Sequence, residues 1–164
     1  MKHLSPGYFA LVMATGIVSI GAWDFGLPVL ATGLFAFNLA AYVVVAGLNA
    51  FRSIRYPRLF FADMTDHRLG PGFFTAVAGT CILGTQFLLI VRSLVAATVL
   101  LALGTVLWVG LTYTIFAALT VKRDKPALEK GLTGAWLIAV VATQSIAVWP
   151  PRLPVSGRSR FGWN

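Results

Sequence analysis

The placement of charge limits this sequence more than any other feature. Every Asp, Glu, Lys, Arg and His lies outside five long blocks, 4–23, 25–51, 69–91, 93–121 and 131–149. Each block is 19 to 29 residues long. A helix rising 1.5 Å per residue needs about 20 residues to cross a hydrocarbon layer of about 30 Å, so each block is long enough to span one. A chain of 164 residues with 58% hydrophobic and 11% charged residues would expose large apolar patches if it were folded in water. The sequence therefore predicts an all-α integral membrane protein with five transmembrane helices, over about 5–23, 26–51, 70–91, 94–121 and 131–149. The first block is not read as a removable signal peptide, because it runs to 20 apolar residues and a second apolar block follows directly after Asp24. The single cysteine, Cys81, falls inside the third block, where no intrachain disulfide can form and small apolar packing is its expected role.

The net charge of +8 would suggest nucleic acid if the chain were soluble, but the loops carry the more specific information. Lys2, Arg52, Arg55, Arg58, Arg68, Lys122, Arg123, Lys125 and Lys130 fall on one side of a five-span topology. Arg92, Arg152, Arg158 and Arg160 fall on the other. The positive-inside rule then places the N-terminus in the cytoplasm and the protein in the inner (plasma) membrane as a multi-pass chain, with no nucleic-acid partner. The segment 150–164 changes composition abruptly to a basic Pro/Arg tail. The expectation is a transmembrane domain over 1–149 and a non-native or disordered tail, left by truncation or frame-shifting before a sixth span.

Within the spans, small residues recur at i, i+4, the spacing that lets helices approach closely in lipid. Gly72, Ala76, Thr80 and Gly84 form one such row, beside Thr75 and Gly79; Gly131, Ala135, Ala139, Thr143 and Ala147 form another. Ala10, Ala14, Thr15, Gly16 and Ser19 make a shorter version in the first span, while spans two and four carry bulkier faces. The odd-numbered helices are thus expected to be internal, either as packing seams or as the lining of a path. No ionisable group lies inside a span, which argues against a proton pump. What remains is hydroxyls and amides, namely Thr15, Ser19, Asn38, Asn49, Thr75, Thr80, Gln86, Thr143, Gln144 and Ser145. Dipolar groups of this kind can pass an anion without trapping it, although each can equally bond a neighbouring helix.

Ser5-Pro6-Gly7 and Gly70-Pro71-Gly72 precede spans one and three, where helix N-termini with nearby Lys2 and Arg68 would attract anions at the cytoplasmic mouth. Asp63, Asp66 and His67 lie within five residues, but no second ligand cluster accompanies them. They are read as balancing neighbouring arginines rather than holding a metal. No nucleophile and base at a recognisable spacing, phosphate loop or cysteine pair is present, so neither an enzyme nor a cofactor is expected.

Three runs in order carry a family resemblance: 6–19 (PGYFALVMATGIVS), 70–80 (GPGFFTAVAGT), and Gly134-Ala135-Trp136-Leu137 with Val141-Ala142-Thr143-Gln144-Ser145. They resemble the first, third and fifth helices of the tellurite-resistance/dicarboxylate transporter family. That family includes bacterial tellurite-resistance proteins, yeast malate permease and plant slow-type anion channels. The resemblance covers roughly residues 4 to 148 and implies the first half of a ten-helix fold, five helical hairpins around a pore lined by odd-numbered helices. It further implies a trimer of separate pores, with a gating aromatic on a ninth helix that has no counterpart here. The implied function is transmembrane passage of small anions, C4-dicarboxylate (malate-like) or inorganic. Thr15, Ser19, Thr75, Gly79, Thr80, Thr143 and Gln144 would line the path. The alternative is a non-transporting membrane subunit that docks a partner through its small-residue helix faces.

Overall fold

A computed structural model describes residues 6–64, 66, 69–121 and 134–147, and these form helices and short turns with no strand among them. A 3₁₀ turn, Pro6–Tyr8, leads into α1, Phe9–Asp24. Its buried residues, Phe9, Val12, Gly16, Ser19 and Ala22, are spaced three or four apart and make a single stripe. The turn after it is closed by bonds from the Phe25, Gly26 and Leu27 amides to the Gly21, Trp23 and Ala22 carbonyls. It uses Gly26 at φ +74°, a conformation that suits a residue without a β-carbon. Pro28 then occupies the first position of α2, Pro28–Arg55, where its missing N–H is no loss.

At the other end of α2, Tyr56 leaves the helical region ahead of Pro57, and a short α3 follows, Pro57–Met64. A 3₁₀ turn over Gly70–Phe73, built on Pro71, opens α4, Phe74–Gln86. From Phe87 to Val91 that helix widens into a π turn. Arg92 stops it in the left-handed region at φ 57°, and the Ser93 amide reaches back to the Phe87 carbonyl at 3.1 Å. Then come α5, Leu94–Val121, a 3₁₀ turn at Gly134–Trp136, and α6, Leu137–Ala147.

The contacts define directions. Ser19 meets Ala31 and Phe9 meets Tyr42, so α1 and α2 are an antiparallel hairpin. Gly84 faces Ala97 and Gly104 faces Cys81, which makes α4 and α5 a second hairpin. Trp108 meets Thr143 and Phe116 meets Trp136, so α6 returns antiparallel to α5. Gly79 packs on Phe9 and Val12 while Gly16 packs on Ile82, setting α1 and α4 parallel. The main core gathers Met64, Phe73, Phe74, Val77, Cys81, Leu111, Ile115 and Ala142.

Three helical stretches are long and apolar enough to cross a membrane: Pro28–Arg55, Gly70–Val91 and Leu94–Ala117. The expected first and fifth spans appear as shorter apolar helices, α1 and α6, each preceded by a 3₁₀ turn. Residues 131–133, 148 and 149 of the fifth expected span, and the tail 150–164, lie outside the described residues. Burial also differs from the expectation that all odd helices are internal. Only α4 is covered on most sides, whereas α1 and α6 expose much of their surface among the described residues. The small α3 was not anticipated, because eight residues carrying an arginine and an aspartate give too short a pattern to separate from a loop.

Candidate conduction path

The expected path residues fall into two sets. In the first, the hydroxyls are engaged. Ser19 is fully buried and donates to the Ala31 carbonyl at 2.8 Å, tying α1 to α2. Thr75 donates to the Gly72 carbonyl at 2.6 Å, and Thr80 to the Ala76 carbonyl at 2.7 Å. Tyr42 Oη lies 3.1 Å from the same Thr80 oxygen, so α2 is clasped to α4 there. Thr143 donates to the Ala139 carbonyl at 2.9 Å and accepts the indole N–H of Trp108 at 3.0 Å, tying α6 to α5. Gly79 is buried against α1: a β-carbon placed on it would touch Val12 Cγ1 at 3.5 Å.

The second set is Thr15 and Gln144. Thr15 is half-buried on α1 and Gln144 exposed on α6, and neither side chain makes a hydrogen bond among the described residues. They sit on the two helices that flank α4. Lys2 and Arg68, expected at the cytoplasmic mouth, lie outside the described residues.

The structure also brings together residues that the sequence pattern left scattered. Asn38 Nδ2 on α2 donates to Gln86 Oε1 on α4 at 2.6 Å, with both side chains fully buried. Gly16 on α1 faces this pair, since a β-carbon on it would lie 3.0 Å from Asn38 Nδ2 and 3.4 Å from Gln86 Oε1. Asn38 and Tyr42 are four apart on α2, so their partners Gln86 and Thr80 form a two-rung ladder between antiparallel helices. Polar residues in an apolar block were the only sequence signal for it; the pairing spans 48 positions in the chain.

At the end of α2, Arg52 is buried and its guanidinium forms an ion pair with Asp63 of α3. Asp66 Oδ1 accepts the Leu69 amide at 3.4 Å. Asp63 therefore balances an arginine as the sequence suggested, and His67 lies outside the described residues.

A bundle of apolar helices carrying uncharged polar groups fits many membrane proteins, and comparison narrows it. Residues 3–158 match the voltage-dependent anion channel family. The chain belongs to that family. An uncharacterized transporter of Methanocaldococcus jannaschii is 28% identical over 114 residues, which is 66% of this chain and 31% of that protein. The chain thus spans about a third of the length of the curated relative it matches. No solved structure matches it. Membership agrees with the three motifs quoted above and makes the apolar helices those of a multi-pass membrane protein from a family of anion channels.

Proposed function

We propose that the chain contributes to a passive path for small anions, bordered by α1 and α6 where these flank α4. The observation that carries this reading is that the Thr15 and Gln144 side chains make no hydrogen bond among the described residues. An anion crossing a low-dielectric region needs N–H or O–H donors in place of its water shell. Hydroxyls that already donate to a carbonyl, as in Ser19, Thr75, Thr80 and Thr143, are spent unless they rotate. The Gln144 amide offers two free donors, and exposing it to lipid tails would leave them unsatisfied, so a hydrated path is the environment that suits it. Uncharged donors of this kind bind an anion weakly enough to release what they pass.

In the full reading, five spans run with the N-terminus in the cytoplasm of the plasma membrane, 1–149 forms the transmembrane domain, and Lys2 and Arg68 draw anions to the inner mouth. The substrates are C4-dicarboxylates or inorganic anions, and the assembly is a trimer in which this chain supplies half of each ten-helix pore. Flux of chloride and of malate from liposomes tests it. Flux from the 164-residue chain, or only from a version extended by further family spans, supports the path; absence of flux from both refutes it. A second reading, a non-transporting subunit, draws on the exposed small residues Ala10 and Ala14 of α1, which a partner helix could approach closely. Copurification of a stoichiometric partner without any flux would select it.

A further inference from the structure

We propose that Asn38 and Gln86 hold one internal water molecule at the junction of α1, α2 and α4. Two primary amides lying side by side can exchange two hydrogen bonds, but this pair makes one, from Asn38 Nδ2 to Gln86 Oε1 at 2.6 Å. Asn38 Oδ1 and Gln86 Nε2 are left buried with no partner among the described residues. Turning both amides over exchanges the atoms yet still leaves one donor and one acceptor unsatisfied. Asn38 is the eleventh residue of α2, about 15 Å along the helix at 1.5 Å per residue, so the pair sits deep in the span. Lipid cannot satisfy either atom at that depth, and buried polar groups without partners are rare in native proteins.

The chemistry of the two free atoms selects the guest. A water molecule donates to Asn38 Oδ1 and accepts from Gln86 Nε2, meeting both needs with one molecule. A bare anion would lie against the negative end of the Asn38 carbonyl dipole, and a cation against the Gln86 N–H groups. The neighbouring rung has no such need, since Tyr42 and Thr80 bond each other and Thr80 also bonds Ala76. The site is independent of whether the chain conducts anions.

Radiolytic hydroxyl-radical footprinting tests the proposal on the purified 164-residue chain in lipid nanodiscs, because a bound water generates radicals in place and oxidises the side chains beside it. Phe35 is the reporter, buried one turn from Asn38 and in edge contact with Phe87, which follows Gln86. Phe73 and Phe74 are buried rings of identical chemistry in the main core. The expected result is several-fold faster oxidation of Phe35 than of those two, abolished in the double variant Asn38→Leu/Gln86→Leu. Equal rates at the three rings in the unmodified chain would overturn the proposal, whether or not the double variant folds. Fast Phe35 oxidation that persists in a folded double variant would overturn it too.

Discussion

Substituting Gly16 by alanine adds one methyl group at the place where α1 presses on the Asn38–Gln86 pair. That carbon would overlap Ile82 Cγ2 and lie 3.0 Å from Asn38 Nδ2. Carbon atoms in contact prefer about 3.5–4.0 Å, so the Ile82 side chain must turn away or α1 must lift from α4. Pushing Ile82 off its rotamer costs about 1 kcal/mol. Displacing the Asn38 amide strains a buried bond worth about 1 kcal/mol and threatens to orphan Gln86 further. Against this, alanine favours the helix over glycine by about 1 kcal/mol. The balance is a net loss of about 1 kcal/mol, at the lower end of what overpacking a tight core costs. Gly33→Ala serves as the control, because nothing lies within 4 Å of a β-carbon placed there and the propensity gain acts alone. Equilibrium unfolding in mixed detergent micelles, followed by helical circular dichroism, measures both variants. In a double-mutant cycle, Gly16→Ala should cost less in an Ile82→Ala background than in the unmodified chain, because the closest clash is then absent. A Gly16→Ala variant at least as stable as the unmodified chain would refute the account of this contact.

Four further outcomes follow from particular contacts. Asp63→Ala removes the partner of the buried Arg52 guanidinium and should lower stability by about 1–3 kcal/mol in the same unfolding assay; an unchanged midpoint would show the pair to be idle. Arg92→Gly relieves a left-handed backbone and should stabilise by about 0.5–1 kcal/mol, so a loss of stability would contradict the role given to that residue. Trp108→Phe and Thr143→Val each break one bond between α5 and α6 at about 1 kcal/mol; combined, they should cost little more than either alone, and simple additivity would deny the coupling. Gln144→Glu replaces a free donor with a negative charge and should reduce anion flux at least about tenfold in any form of the chain that conducts, whereas Ser145→Ala, whose hydroxyl already bonds Val141, should leave flux near its original value.

Much of the architecture was legible because lipid imposes coarse rules. Uncharged runs located the three long helices, and Pro71 marks a helix start where the sequence reading places it. The internal organisation was less accessible. The row Gly72, Ala76, Thr80 and Gly84 reads as one stripe, yet Thr80 faces Tyr42 of α2 while Gly84 faces Ala97 and Leu100 of α5. Spacing gives a face and not the neighbour that covers it. Tyr42 sits on one of the bulkier faces of the second span, and its hydroxyl becomes informative only once Thr80 is opposite. The π turn at Phe87–Val91 leaves no mark in a run of five apolar residues; it is closed by the left-handed Arg92 and by the Ser93 amide, which donates to the Phe87 carbonyl.

The central position of α4 bears directly on where anions would travel. Val77 and Ala78 are fully buried, Leu83 nearly so, and Gln86 is closed in at the far end, so its faces are already assigned to neighbours. Gly79 receives α1, Thr80 receives α2, Gly84 receives α5 and Cys81 lies in the cluster with Ala142 of α6. A helix apolar on all sides is stable only when surrounded in this way or immersed in lipid. A path that needs donors has little left to use along α4, because its hydroxyls bond backbone carbonyls and its glycines are occupied by packing. The polar side chains without a hydrogen bond among the described residues stand instead on the flanking helices, at the half-buried Thr15 and the exposed Gln144. On this geometry α4 works as the post against which α1 and α6 are fixed. A conduction path built from this chain would then depend on how those two short helices are held, by Ser19 and Gly16 on one side and by the Trp108–Thr143 bond on the other.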